Sequence, residues 1–151
     1  MALGTVLPFW PALLFTYIEP ISLILGWHAA FDNPSTFVSK QLPTSSTLAV
    51  PDAAVILSYT LGNIFLILAA VAVLCTAITR NARVAKYYLF IIALGDLGHI
   101  YASYRVMGKE TFLNFNEYND MMWGNIGFSA FLHVNRGATL VGLFGRVGAK
   151  A

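Results

Sequence analysis

Glu19, Asp96 and Arg136 are the side chains of this sequence best suited to act together. Each stands near the middle of a long apolar run, not in a polar connection. A charge at the centre of hydrocarbon costs about 2.5–3.5 kcal/mol on insertion scales, so such groups pair or face a wet cavity. Two carboxylates and one guanidinium at similar depth satisfy one another if Arg136 sits between Glu19 and Asp96. Two carboxyl groups in different surroundings can divide the roles of general acid and general base. Arg136 would orient and polarise them.

Helical spacing adds neighbours to this set. Tyr88, Ile92, Asp96, His99 and Ser103 follow one another in steps of three or four, so they share a helix face. Asn125, Ser129, His133 and Arg136 do the same, as do Tyr59 with Asn63 and Thr16 with Glu19 and Ser22. Stripes facing a common axis make a polar pocket with apolar walls, the usual make-up of a small-molecule site. In such a pocket His99 and His133 are candidates for proton relay. Tyr17, Tyr59, Asn63, Tyr88, Asn125 and Ser129 are candidates for holding substrate. Pro20, directly after Glu19, removes a helical hydrogen bond and predicts a kink there. Gly95, Gly98, Gly124, Gly127 and Gly137 predict close helix approach or room for a ligand. The plainer reading is a structural ion-pair network that sets helix register, with each histidine and tyrosine a packing residue. A metal site from Glu19, Asp96, His99 and His133 has no recognised ligand spacing, and no metal or other cofactor is expected.

These residues need long apolar elements to hold them. The 151 residues are 58% hydrophobic and 11% charged. The mean hydropathy is +0.69. Soluble domains carry about 25% charged residues, so this composition leaves too little charge for a water-facing surface. The apolar residues come in blocks of the length that crosses hydrocarbon. Four spans are expected, near 7–30, 53–78, 84–107 and 122–145, within a single domain of 1–151. The expected fold is all-α: an integral membrane antiparallel four-helix bundle. The first block lacks a basic leader and a cleavage signal, and is read as a retained helix. The lone Cys75 allows no disulfide framework. The nine Lys and Arg residues are scattered, which argues against nucleic-acid binding.

Five of those nine basic residues, Arg80, Arg83, Lys86, Arg146 and Lys150, fall in the second connection and the tail. The positive-inside rule then puts both chain ends in the cytosol. The expected location is the endoplasmic reticulum membrane. Membrane lipid and a lipophilic small molecule are the expected partners, with a homo-oligomer or a pathway oxygenase as further company.

The opening LPFWPALLFTYIEPISLILGWHAAFDNP, with Tyr17–Pro20 its most specific part, resembles a family of small fungal four-helix membrane proteins. The stretch WGNIGFSAFLHVNRGATLVGLFG is similar to that family's last span. Within this group are the epoxide hydrolases and cyclases of aurovertin- and citreoviridin-type polyketide pathways. The resemblance implies a hydrophobic epoxide delivered through the membrane. Epoxide opening needs an acid at the leaving oxygen and a base on water or a substrate hydroxyl, which the carboxyl pair could supply. A terpenoid or sterol-type isomerase or cyclase using the same acid stays open, and so does a non-catalytic lipid-binding scaffold.

Overall fold

The computed structural model describes residues 2–43 and 49–148. Among them there are five helices and no strand. Helix α1 spans Phe9–Asp32 and, with 24 residues, is about 36 Å long. It ends at Asn33, whose side chain accepts the Thr36 N–H at 3.0 Å. Asn33 thereby caps the short helix α2, Pro34–Ser39, which has proline in its first turn. Helix α3, Asp52–Ile78, has 27 residues and a mean hydropathy of 2.5. Helix α4, Ala82–Leu113, is capped by Asn81 and broken at Gly108, where φ is +75°. Helix α5 covers 120–140 and is capped by Asn119, which accepts the Met122 N–H at 2.9 Å. Two of these helices, α1 and α3, are long and apolar enough to cross a membrane. Lys150, in the tail, lies outside the described residues.

The sequence places a kink at Pro20. The chain instead stays helical there, and the adjustment falls one turn earlier, in the π-turn Leu14–Ile18. The Glu19 N–H bonds to the carbonyl of Leu14, five residues back. The widened turn makes room for the proline ring against the preceding carbonyls. A second π-turn, Leu74–Ile78, lies directly opposite in α3. Thr16 donates to Thr76 Oγ1 across the gap at 3.0 Å, and Thr76 donates back to the Ala72 carbonyl at 2.7 Å.

Helix α1 packs along α3, and α4 along α5. The first turns of α1 also touch α5, and the end of α3 meets α4. Ser58 donates to the Ala30 carbonyl while Thr16 meets Thr76, so α1 and α3 run antiparallel. At one end of the molecule Arg80 donates to the Gly4 carbonyl, and the Gly148 N–H bonds to the Val6 carbonyl at 2.7 Å. At the other end Lys40 pairs with Asp120 at 3.1 Å, and Asn119 donates to the Leu42 carbonyl. The last helix stops at Leu140, short of the expected 145. Gly142 and Gly145, at φ +84° and +106°, turn the chain back toward Pro8. Such values suit glycine, which has no Cβ to clash.

The apolar core sits at the end where residues 4–8 meet 145–148. Its members include Leu7, Phe15, Ala72, Leu89 and Leu132. Toward the opposite end the helices part into two grooves. Large apolar side chains such as Ile21, Leu25, Leu57, Ile67, Ile91 and Val134 face outward. The interior holds alanines together with Thr16, Ser58, Thr76 and the three charged residues.

Candidate functional site

Glu19, Asp96 and Arg136 meet between α1, α4 and α5. Arg136 is fully buried, with 0% of its side chain exposed, against 6% for Glu19 and 10% for Asp96. Its Nη1 donates to Asp96 Oδ2 at 2.6 Å, and its Nη2 donates to Glu19 Oε1. Its guanidinium carbon lies 5.1 Å from the centroid of the Phe15 ring. Phe15 is one turn before Glu19, so the same helix face supplies a carboxylate and an aromatic surface to one cation. Two buried atoms of the set, Glu19 Oε2 and Arg136 Nε, have no hydrogen-bond partner among the described residues.

Two more of the sequence candidates adjoin this centre. Tyr88, buried, lies beside Arg136 and Glu19. His133 stands near Asp96 and places Nδ1 3.0 Å from the Ala93 carbonyl oxygen. A carbonyl only accepts, so Nδ1 carries a proton.

The others lie elsewhere. His99 and Ser103, on the same stripe as Asp96, line a groove of about 440 Å³ between α3 and α4. Asn125 donates to Gln41 Oε1 at 2.7 Å, which commits it to the chain after α2. It lines the larger groove, about 840 Å³, between α1 and α5. Tyr59 is exposed and packs edge-on against Phe31, 5.0 Å between centroids. Asn63 and Tyr17 are exposed, and Ser129 is half-buried and lines neither groove. The four stripes therefore do not converge on one axis. A stripe shows which residues share a face, but the roll of each helix decides what that face meets.

The glycines divide in the same way. A Cβ at Gly95, Gly98, Gly124 or Gly137 would meet nothing within 4 Å, so these do not mediate close helix approach. Tight contacts stand at Gly62, where a Cβ would lie 2.7 Å from the Phe31 ring, and at Gly127, where it would lie 2.6 Å from the Trp123 ring one turn back on the same helix; at Gly148 it would lie 2.6 Å from the Ala82 Cβ. Phe15, Gln41 and Thr76 were missed by reasoning from the sequence. Phe15 alone carried a signal, its one-turn spacing from Glu19. Among the described residues no three His, Cys, Asp or Glu side chains gather to hold a metal ion.

Residues 4–146 match the family described as "Domain of unknown function (DUF7704)". The chain belongs to that family. The DUF7704 region takes in Glu19, Asp96, Arg136 and the residues lining both grooves. No curated protein matches the chain, and no solved structure does.

Proposed function

We propose that this chain is a membrane-embedded enzyme that opens epoxides on a lipophilic polyketide or terpenoid by general acid–base catalysis, without a cofactor. One observation carries the reading: Arg136 bridges two carboxylates in a buried site while Glu19 Oε2 is left without a partner among the described residues. A buried oxygen without a hydrogen bond costs free energy, and a substrate hydroxyl or water bound there would meet that need.

In the reaction one carboxyl group gives a proton to the epoxide oxygen as its C–O bond breaks. The other takes a proton from the incoming water or substrate hydroxyl as the new C–O bond forms. One proton is given and one is taken, so no redox partner is needed. Arg136 holds the two groups at fixed separation, which is a positioning role. His133, through Nε2, is suited to returning the proton between them.

Membrane placement supports the same reading. Many large apolar side chains face outward while Glu19, Asp96 and Arg136 are buried, a pattern unusual for a water-soluble protein. In this view α1, α3, α4 and α5 are four antiparallel spans of the endoplasmic reticulum membrane. The end bearing Arg80, Arg83, Lys86 and Arg146 would then face the cytosol. An oxygenase that makes the epoxide is the natural companion.

The test is conversion of an authentic polyene epoxide by microsomes containing the protein. Glu19→Gln and Asp96→Asn should each abolish turnover at unchanged expression. Turnover retained in both variants would rule out the carboxyl pair. Oxygen-18 from water entering the product separates hydrolysis from internal ring closure. A second reading is a non-catalytic membrane protein whose ion pairs only set helix register. It is favoured by the fact that neither groove is lined by Glu19, Asp96 or Arg136. It predicts no turnover of any epoxide by the native chain.

A further inference from the structure

The groove between α3 and α4 holds one polar group that the triad does not use. His99 lines it, together with Leu57, Ser58, Leu61, Ser103 and Val106. The other polar groups there are already engaged. Ser58 donates to the Ala30 carbonyl at 3.0 Å, and Ser103 donates to the His99 carbonyl at 3.3 Å. Gln41 donates to the Phe37 carbonyl and accepts from Asn125. By contrast, no hydrogen bond engages either ring nitrogen of His99 among the described residues. His99 lies eight residues before the end of the continuous helix at Met107, so about 12 Å below that end. At that depth in hydrocarbon an imidazole without a partner is costly.

The geometry points to a second binding site here, for a lipophilic alcohol whose hydroxyl engages His99 and whose tail lies along the apolar walls. A neutral imidazole offers one donor and one acceptor nitrogen. A hydroxyl satisfies whichever of them faces the groove. Where it accepts from the imidazole N–H, its own proton can go to Ser58 or Ser103, whose protons are spent on backbone carbonyls and whose lone pairs remain. An ether answers only a donor, and a hydrocarbon answers neither. The volume of about 440 Å³ is within the range of small-molecule sites. The inference rests on the membrane placement above but not on the epoxide chemistry, because His99 is separate from the triad.

The experiment uses the full chain in phosphatidylcholine nanodiscs. The probe is an octadecanol with a mid-chain diazirine and a terminal alkyne, run beside its methyl ether. After irradiation the labelled peptides are mapped. The alcohol should label the stretches 54–61 and 99–107 about fivefold more than the ether, the factor set by one net hydrogen bond. His99→Phe should bring the two probes level while the protein stays monodisperse. Leu61→Trp keeps the imidazole but fills the groove, and should reduce labelling by both probes. Equal labelling of the native chain by alcohol and ether would overturn the proposal. So would labelling mapped mainly to other segments, or a preference that survives in His99→Phe.

Discussion

Arg136 and Asp96 are joined at 2.6 Å across a helix pair, α4 and α5, in which the guanidinium is sealed and the carboxylate is partly open. Glu19, on the far side of the same guanidinium, is more deeply covered. One cation therefore serves two acids in unequal surroundings, and its loss would leave two buried carboxyl groups facing each other without a counter-charge.

Replacing Arg136 alone should be severe. Breaking a buried pair by removing one partner costs about 3–5 kcal/mol, because the remaining charges stay uncompensated. Arg136→Leu should therefore lower the thermal unfolding midpoint in detergent by many degrees. The triple variant Glu19→Leu, Asp96→Leu, Arg136→Leu should recover most of that loss, since apolar groups of similar volume replace buried ions at little cost. A single variant as stable as the native chain would show that Arg136 is better hydrated than its burial implies.

The glycines give a contrast within one protein. Gly62→Ala puts a Cβ against the Phe31 ring, and that ring is also held by Trp27 and Tyr59. Overpacking of this kind costs about 1–3 kcal/mol. Gly95→Ala meets open space and improves helix propensity, so it should be neutral or stabilise by up to about 1 kcal/mol. Parallel melting curves of the two variants check the sign of each effect.

The convergence of Glu19, Asp96 and Arg136 was legible in the sequence because ionised groups within apolar helices have few alternatives to pairing. His99 and Asn125 were not legible in the same way. Both share a stripe with a triad member, yet one turn from Asp96 and about three turns from Arg136 the stripes have passed from the closed core to a groove. Tyr59 and Asn63 show a further limit, since a polar group four residues from another marks a face without saying whether it points inward. That the chain is all-helical followed from the length of the apolar blocks. The end of α5 did not, because Gly142 and Gly145 act through backbone conformation in a stretch that is still apolar.

The facing π-turns of α1 and α3 are linked through Thr16 and Thr76. Thr76→Val keeps the shape but leaves the Thr16 hydroxyl without its acceptor. Hydrogen bonds between helices in membranes average about 0.6 kcal/mol and reach about 1.7. The loss should fall within that span, and Thr16→Val in the same background should add almost nothing. A double-mutant cycle on unfolding midpoints measures this coupling.

Asp120, the first residue of α5, gives a pH dependence at the exposed end of that helix. Its carboxylate is held below the usual range by the Lys40 ammonium, and then by the Met121 N–H at 3.0 Å. A depressed folded value means that the interaction is fully present above the ordinary 3.8 and is lost as pH falls through the folded value. The carbon-13 shift of the Asp120 carboxyl should therefore titrate below 3.8 in the native chain. In Lys40→Ala it should move up toward that ordinary value. The same midpoint in both chains would mean that the pair does not form in solution.

The arrangement of the two ends also predicts a topology. Segments 4–8, 79–82 and 145–148 meet at one end, and Lys40, Leu42, Asn119 and Asp120 meet at the other. If the four long helices span the membrane, these two ends lie in different compartments. The sequence has no Asn-X-Ser/Thr acceptor other than Asn33-Pro34-Ser35, which proline disables, so the native background is silent. With the proposed orientation, an acceptor introduced at 114–116 should be glycosylated in microsomes. One introduced at 79–81 should remain unmodified, as the positive-inside rule would have it for a connection bearing Arg80 and Arg83. Modification at 79–81 but not at 114–116 would invert the orientation, and modification at both would mean that the helices do not span.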